Sequence, residues 1–192
     1  MNFNELIKKN RSYRRFHQDQ FIDNNTLKEL VELARLSPSA KNIQPLKFFL
    51  SNSPDSNEKI FSCLKWAGYI SDWSGPKEGE KPSAYIIILG DHNILNSIKW
   101  DDGIAAHSIL LGAVEKGLGG CMIASINRER LKELLKFPEN MEPLIITAIG
   151  KPKEKVAIDP VKVGDIKYWR DENQVHHVPK RSLDELIVNL SE

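Results

Sequence analysis

Near the middle of the chain, Ala84 to Gly90 reads Ala-Tyr-Ile-Ile-Ile-Leu-Gly, an apolar run with no polar alternation. A strand made of it has no face suited to water, so it reads as a central strand buried on both faces. The run is strand-sized, far short of the ~20 apolar residues that a membrane-crossing helix needs. Further strand-like runs lie at Leu46 to Leu50, Cys121 to Ile126 and Leu144 to Ile149. Helical patterns separate them. Leu27, Leu30, Val31 and Ala34 form a stripe behind a cap at Asp23 or Asn24. A second helix is expected over Glu58 to Gly68, after a polar turn at Ser51 to Asn57. A long helix follows, capped by Asp101 or Asp102 and reaching Lys116, with Ile104, Ala105, Ile109, Leu110, Gly112 and Ala113 as its apolar and small positions. Asn127 caps another over Glu129 to Phe137. Phe3, Leu6 and Ile7 recur at helical spacing and open the chain with a short helix. Strands separated by helices make this an α/β or α+β chain.

At 192 residues, 41% hydrophobic and 28% charged, the chain supports one sizeable core, so a single domain is expected. Tyr69 to Pro82 carries Trp73, two glycines, two prolines and five charges, and reads as a surface flap. Beyond Gly150-Lys151-Pro152 the chain turns charged and loop-rich, a C-terminal extension over 151–192. The formal net charge of +1 argues against a nucleic-acid partner, while leaving room for a basic pocket around one small anion. Met1 to Asn10 lacks an apolar signal segment, and Cys63 and Cys121 form neither a metal-ligand spacing nor a disulfide framework. A cytoplasmic, reduced location is expected, with no membrane partner.

Two polar stretches carry the chemical interest. Asn10-Arg11-Ser12-Tyr13-Arg14-Arg15-Phe16 packs three arginines into five residues beside a hydroxyl. Guanidinium forks and a hydroxyl suit phosphate oxygens. In an extended segment Arg11 and Arg15 point one way and Arg14 the other. Taken alone, the stretch reads better as a solvated basic turn, because charge clusters usually face water. Ser37-Pro38-Ser39-Ala40-Lys41-Asn42-Ile43-Gln44-Pro45 is a short loop held at both ends by proline. It can approach a flat polar ligand closely; taken alone, it is an ordinary helix-to-strand connection. Gly117, Gly119 and Gly120 follow a helix instead of opening one, which argues against a dinucleotide fingerprint. His107 reads as a packed or solvated helix residue. His176-His177 is the weaker idea of a metal site, because adjacent residues point apart in extended chain and the sequence offers no evident third ligand.

In combination the stretches resemble the FMN-dependent nitroreductase family. Arg11-Ser12-Tyr13-Arg14-Arg15-Phe16 is similar to its Arg-Ser-x-Arg-x-Phe segment, and Pro38 to Pro45 to its Pro-Ser-x-x-Asn-x-Gln-Pro loop. Gly117-Leu118-Gly119-Gly120-Cys121-Met122-Ile123 is similar to its Gly-Leu-Gly turn and strand. Ile149-Gly150-Lys151-Pro152, with a basic pair before a terminal Leu-x-Glu-Leu, completes the order. The chain departs from the pattern at Asn10, where many members have arginine, at Ala124, where glycine is frequent, and at Met122, where an aromatic is frequent.

The resemblance implies an α+β fold, a central, mainly antiparallel sheet flanked by helices, in an intertwined homodimer with FMN at the subunit interface. On it, Arg11, Ser12 and Arg14 hold the phosphate, ribityl and N1/O2 edge, and Lys180 and Arg181 reach the phosphate from the chain end. The backbone of Ile123, Ala124 and Ser125 faces N5 and O4. Pro38, Ser39, Ala40, Asn42 and Gln44 touch the flavin, some across the interface. The expected activity is ping-pong hydride transfer from NADH or NADPH to an electron-poor small molecule such as a nitroaromatic or quinone. No metal and no protein nucleophile are expected, since the cofactor carries the chemistry. Two alternatives stay open: a flavin-fragmenting or dehalogenating enzyme on the same scaffold, and a non-catalytic flavin-binding module.

Overall fold

A computed structural model of the chain describes residues 1–188; the last four residues of the extension, 189–192, lie outside the described residues. In chain order the elements are α1 (Phe3–Lys9), β1 (Phe16–His17), α2 (Asn24–Arg35), a 3-10 turn (Ala40–Asn42), β2 (Leu46–Ser51), α3 (Pro54–Phe61), β3 (Ala84–Asp91), α4 (Asp101–Glu115), β4 (Gly119–Ile123), α5 (Arg128–Leu135), β5 (Met141–Pro152), β6 (Val156–Pro160), β7 (Trp169–Arg170), β8 (His176–Lys180) and α6 (Leu183–Leu186). The main sheet is antiparallel throughout, in the order β1-β5-β3-β2, with β4 also paired to β5. This is the expected α+β architecture.

β3 is buried along its whole length, and its pleat divides the core. Ala84, Ile86 and Ile88 pack with Leu27 and Leu30 of α2 and with Ala105, Ala106 and Ile109 of α4. Tyr85, Ile87 and Leu89 pack with Ile60 of α3, Leu131 of α5 and Cys121 of β4. Two helical layers thus cover the sheet, as a strand apolar on both faces requires.

Three local expectations change. α3 begins at Pro54 and ends at Phe61, several residues earlier than the apolar pattern suggests. Proline is tolerated at the first helical turn, where its missing N–H has no intrahelical partner, and Ser53 caps the end by accepting from Ser56 N at 3.4 Å. α4 is capped by neither aspartate: Trp100 is the cap residue and makes no side-chain cap bond. The extension is more than loop. β6 and β8 run parallel, β7 and β8 antiparallel, in a separate three-stranded sheet that begins after β5 ends at Pro152. Its strands are two to five residues long, too short to show a period of two.

β4 starts at Gly119, two residues before the apolar run. A Cβ on Gly120 would lie 2.2 Å from the Ala148 carbonyl oxygen of β5, so no larger residue fits without moving backbone. That close approach sets the edge against which the arginine segment lies.

Candidate functional site

The segment after α1 is tied to β4 through its backbone. Ser12 bridges Gly120 in parallel, and Tyr13 N–H donates to the Gly120 carbonyl at 3.0 Å. The same N–H lies 2.9 Å from the Arg11 carbonyl, a three-residue turn centred on Ser12. This turn overrides the alternation expected of an extended segment. Arg11, Ser12 and Arg14 line one cavity of about 340 Å³, and Arg15 turns elsewhere. Asn10, His107 and Leu110 of α4, Met122 of β4, and Tyr168, His176, Val178 and Lys180 complete its walls.

The cavity is cationic. Arg11, Arg14 and Lys180 line it and, among the described residues, no carboxylate does. Arg11 Nη2 donates to the Ile7 carbonyl at 2.9 Å, while its Nε is buried with no hydrogen-bond partner among the described residues. Arg14 Nη1 donates to the Ser12 carbonyl at 3.3 Å and lies 3.1 Å from His176 Nε2. Its guanidinium carbon sits 4.8 Å from the centre of the Tyr168 ring. Burial, with Arg14 and Arg170 next in weight, pushes the His176 imidazolium down to about 4. The ring is therefore neutral at pH 7, and Nε2 accepts from Arg14.

Glu154, just past β5, anchors this wall. Its side chain is fully buried. The carboxylate accepts from the backbone N–H groups of Arg14 and Arg15, and pairs with Arg15 Nε at 3.5 Å and Arg170 Nη2 at 3.2 Å. Sequence reasoning missed it. The available signal was a single acid within Lys-Pro-Lys-Glu-Lys. The flap meets the extension here too: Tyr69 N–H donates to Tyr168 Oη at 3.3 Å, their rings are 4.9 Å apart, and Arg170 lies 4.2 Å over the Trp73 ring.

The Ser37–Pro45 loop is held by Asp101, the residue expected as a cap. Ser39 Oγ donates to Asp101 Oδ2 at 2.5 Å, Ala40 N–H to Oδ1 at 3.1 Å, and Gln44 N–H to Ser39 Oγ at 2.9 Å. Lys41, Asn42 and Gln44 have φ of 51°, 57° and 54°, a left-handed geometry uncommon for residues other than glycine and asparagine. Pro38, Ser39 and Gln44 line a different cavity, about 190 Å³, with Phe48, Asp101 and Ala105. Ala40 and Asn42 are exposed beside it. α4 serves both places: Asp101 fixes the loop, and His107 and Leu110 face the arginines.

The thirteen expected residues therefore divide within one chain. Arg11, Ser12, Arg14 and Lys180 come together. Pro38, Ser39, Ala40, Asn42 and Gln44 form a second group. Ile123 ends β4 in the core, and Ala124 and Ser125 line a third depression with Ser62 to Lys65. Arg181 pairs with Glu185 at 3.2 Å and does not line the arginine cavity. Among the described residues no helix is long and apolar enough to cross a membrane.

The sequence profile of the Nitroreductase family matches residues 7–70 and 85–151, which includes both polar stretches and all of the main sheet but Ala84 and Pro152. The chain belongs to the nitroreductase family. This family is flavin-dependent, and the chain is accordingly a flavin oxidoreductase. Most of the flap and all of the extension after Lys151 fall outside the matched residues. A nitroreductase family protein from Clostridium novyi NT is 30% identical, with 80% of this chain and 88% of that one covered at a TM-score of 0.67. An FMN-dependent nitroreductase from Clostridium difficile R20291 is 25% identical, with 78% and 87% covered at 0.64. MhqN of Bacillus subtilis, provisionally named an NAD(P)H nitroreductase, is 26% identical over 183 residues, covering 79% of this chain and 89% of its own.

Proposed function

We propose that residues 1–192 form a single FMN-binding domain that works in the cytoplasm as an NAD(P)H-dependent reductase. Its acceptors are electron-poor small molecules of the nitroaromatic or quinone class, reduced in a ping-pong cycle. The reading is carried by one observation: a cavity lined, among the described residues, by three cations and no carboxylate, with the buried Arg11 Nε lacking a partner there. A buried donor without an acceptor is costly, and an anionic oxygen supplies what Arg11 lacks. A phosphate monoester carries about 1.5–2 negative charges at pH 7 and suits Arg11, Ser12 and Lys180 together. When bound, FMN supplies the hydride chemistry, and the protein supplies position and field. Arg14 presents a fixed positive charge on the same wall, which favours added negative charge on a ligand beside it.

The division of the expected residues fits a homodimer. In this reading the Ser37–Pro45 loop, held rigid by Asp101, reaches the flavin of a second copy, while its own chain contributes the arginine cavity. Titrating flavin-free protein with FMN, followed by quenching of flavin fluorescence, tests the site. Arg11→Ala should weaken FMN binding by about 10- to 150-fold, the ~1.5–3 kcal/mol of a hydrogen bond to a charged group. Binding of riboflavin, which has no phosphate, should not respond. Equal FMN affinity in the variant would overturn the phosphate assignment.

A further inference from the structure

His176 is fully buried, yet only one of its ring nitrogens has a partner. Nε2 lies 3.1 Å from Arg14 Nη1, and a guanidinium can only donate, so Nε2 carries the lone pair. In a neutral imidazole the proton is then on Nδ1, which is buried and has no acceptor among the described residues. The groups around the ring leave little room for a second proton. Arg14 and Arg15 act on it from the first segment, Arg170 from β7 and His177 from β8 itself, all of them cationic or protonatable, while the nearby Glu154 carboxylate is held by Arg15 and Arg170. The ring is fixed in place: its backbone N–H donates to Lys155 O at 2.8 Å, and it pairs in register with Arg170.

We propose that His176 is a ligand-binding residue of the arginine cavity, its Nδ1–H donating to an acceptor oxygen of the bound flavin cofactor while Nε2 holds Arg14. The proposal rests on the flavin reading of that cavity. Tyr168 marks how the ligand arrives. Its ring lies 5.2 Å from the His176 ring and 4.8 Å from the Arg14 guanidinium carbon, so it covers both groups. It is only partly buried, and a planar ligand entering the cavity takes its place against them. His176 belongs to the extension, beyond the residues that match the family profile, so this contact is a feature of the chain's own C-terminal sheet.

The test uses full-length protein and FMN. His176→Phe keeps an aromatic ring and removes both nitrogens; His176→Gln restores a donor and an acceptor. We expect His176→Phe to bind FMN about fivefold or more weakly, with a shifted visible band of the bound flavin, and His176→Gln to recover most of both. The same loss should persist when Arg14→Gln is the background. Loss that vanishes there would reduce His176 to a support for Arg14 and overturn the proposal, as would unchanged affinity and spectrum in His176→Phe. Nitrogen-15 spectra of histidine-labelled wild-type protein need no variant fold: the His176 Nδ1 resonance should be that of a neutral, protonated nitrogen and should move on adding FMN. A resonance that does not move while FMN binds overturns the proposal and leaves the flavin site intact. Wild-type protein that takes up no FMN instead removes the reading beneath it.

Discussion

Glu154→Ala is the most demanding perturbation of the site wall. The carboxylate is fully buried; it accepts from the backbone N–H groups of Arg14 and Arg15 and from Arg170 Nη2, and lies 3.5 Å from Arg15 Nε as an ion pair. The two guanidiniums are themselves mostly buried, with side chains 16% and 9% exposed. Removing the acid leaves two largely buried positive charges uncompensated, which costs about 3–5 kcal/mol for a broken buried pair. Glu154→Gln keeps the shape and one acceptor oxygen and loses the charge, so about 1.5–3 kcal/mol is expected. Equilibrium urea unfolding, read by tryptophan fluorescence at fixed protein concentration, measures both. The control is Glu29→Ala, which breaks the Lys116–Glu29 pair at the surface. Exposed pairs contribute ~0–1 kcal/mol. A Glu154→Ala variant that loses no more than the Glu29→Ala control refutes the reasoning, because the buried carboxylate would then not hold the segment.

Asp101→Ala removes the acceptor of Ser39 Oγ and Ala40 N–H, so it should cost about 1–3 kcal/mol and speed hydrogen exchange across residues 39–44. His177 sits between Asp159 at 2.6 Å and Asp171 at 3.4 Å, and its hydrogen bond to Asp159, then that to Asp171, raise its pKa. Its stabilising contribution is therefore full below the unfolded histidine value near 6.5 and lost as pH rises through the raised folded value. The melting-temperature gap between wild type and His177→Asn should accordingly narrow from pH 6 towards pH 9. Gly120→Ala sets a methyl against the Ala148 carbonyl oxygen and disturbs the Tyr13–Gly120 bond, so urea unfolding should show a loss of at least ~1–3 kcal/mol.

The buried strands were legible because burial on both faces leaves a plain mark in Tyr-Ile-Ile-Ile-Leu. The helix stripes of α2 and α5 were legible for the matching reason, a period of 3.6 behind a capping side chain. What failed to show was set by contacts distant in sequence. Asp101 looks like a cap from its neighbours, and only the fold brings Ser39 to it across 62 residues. The turn at Ser12 depends on the Gly120 edge, so local alternation gave the wrong sides for Arg11 and Arg14. Glu154 meets Arg14 from 140 positions away, and nothing in a lysine-rich run distinguishes a buried acid from a solvated one. The extension's strands are too short for periodicity, although His176 of β8 and Tyr168 just before β7 line the cavity.

The central claim is that this chain holds FMN in the arginine cavity and passes electrons through it. The direct measurement is the visible absorbance of the FMN-loaded protein during anaerobic titration with NADH or NADPH, followed by a nitroaromatic or quinone. The account predicts that the flavin band bleaches in proportion to the nicotinamide added and returns in proportion to the acceptor. A band that neither nicotinamide bleaches, in protein that has demonstrably bound FMN, would contradict it.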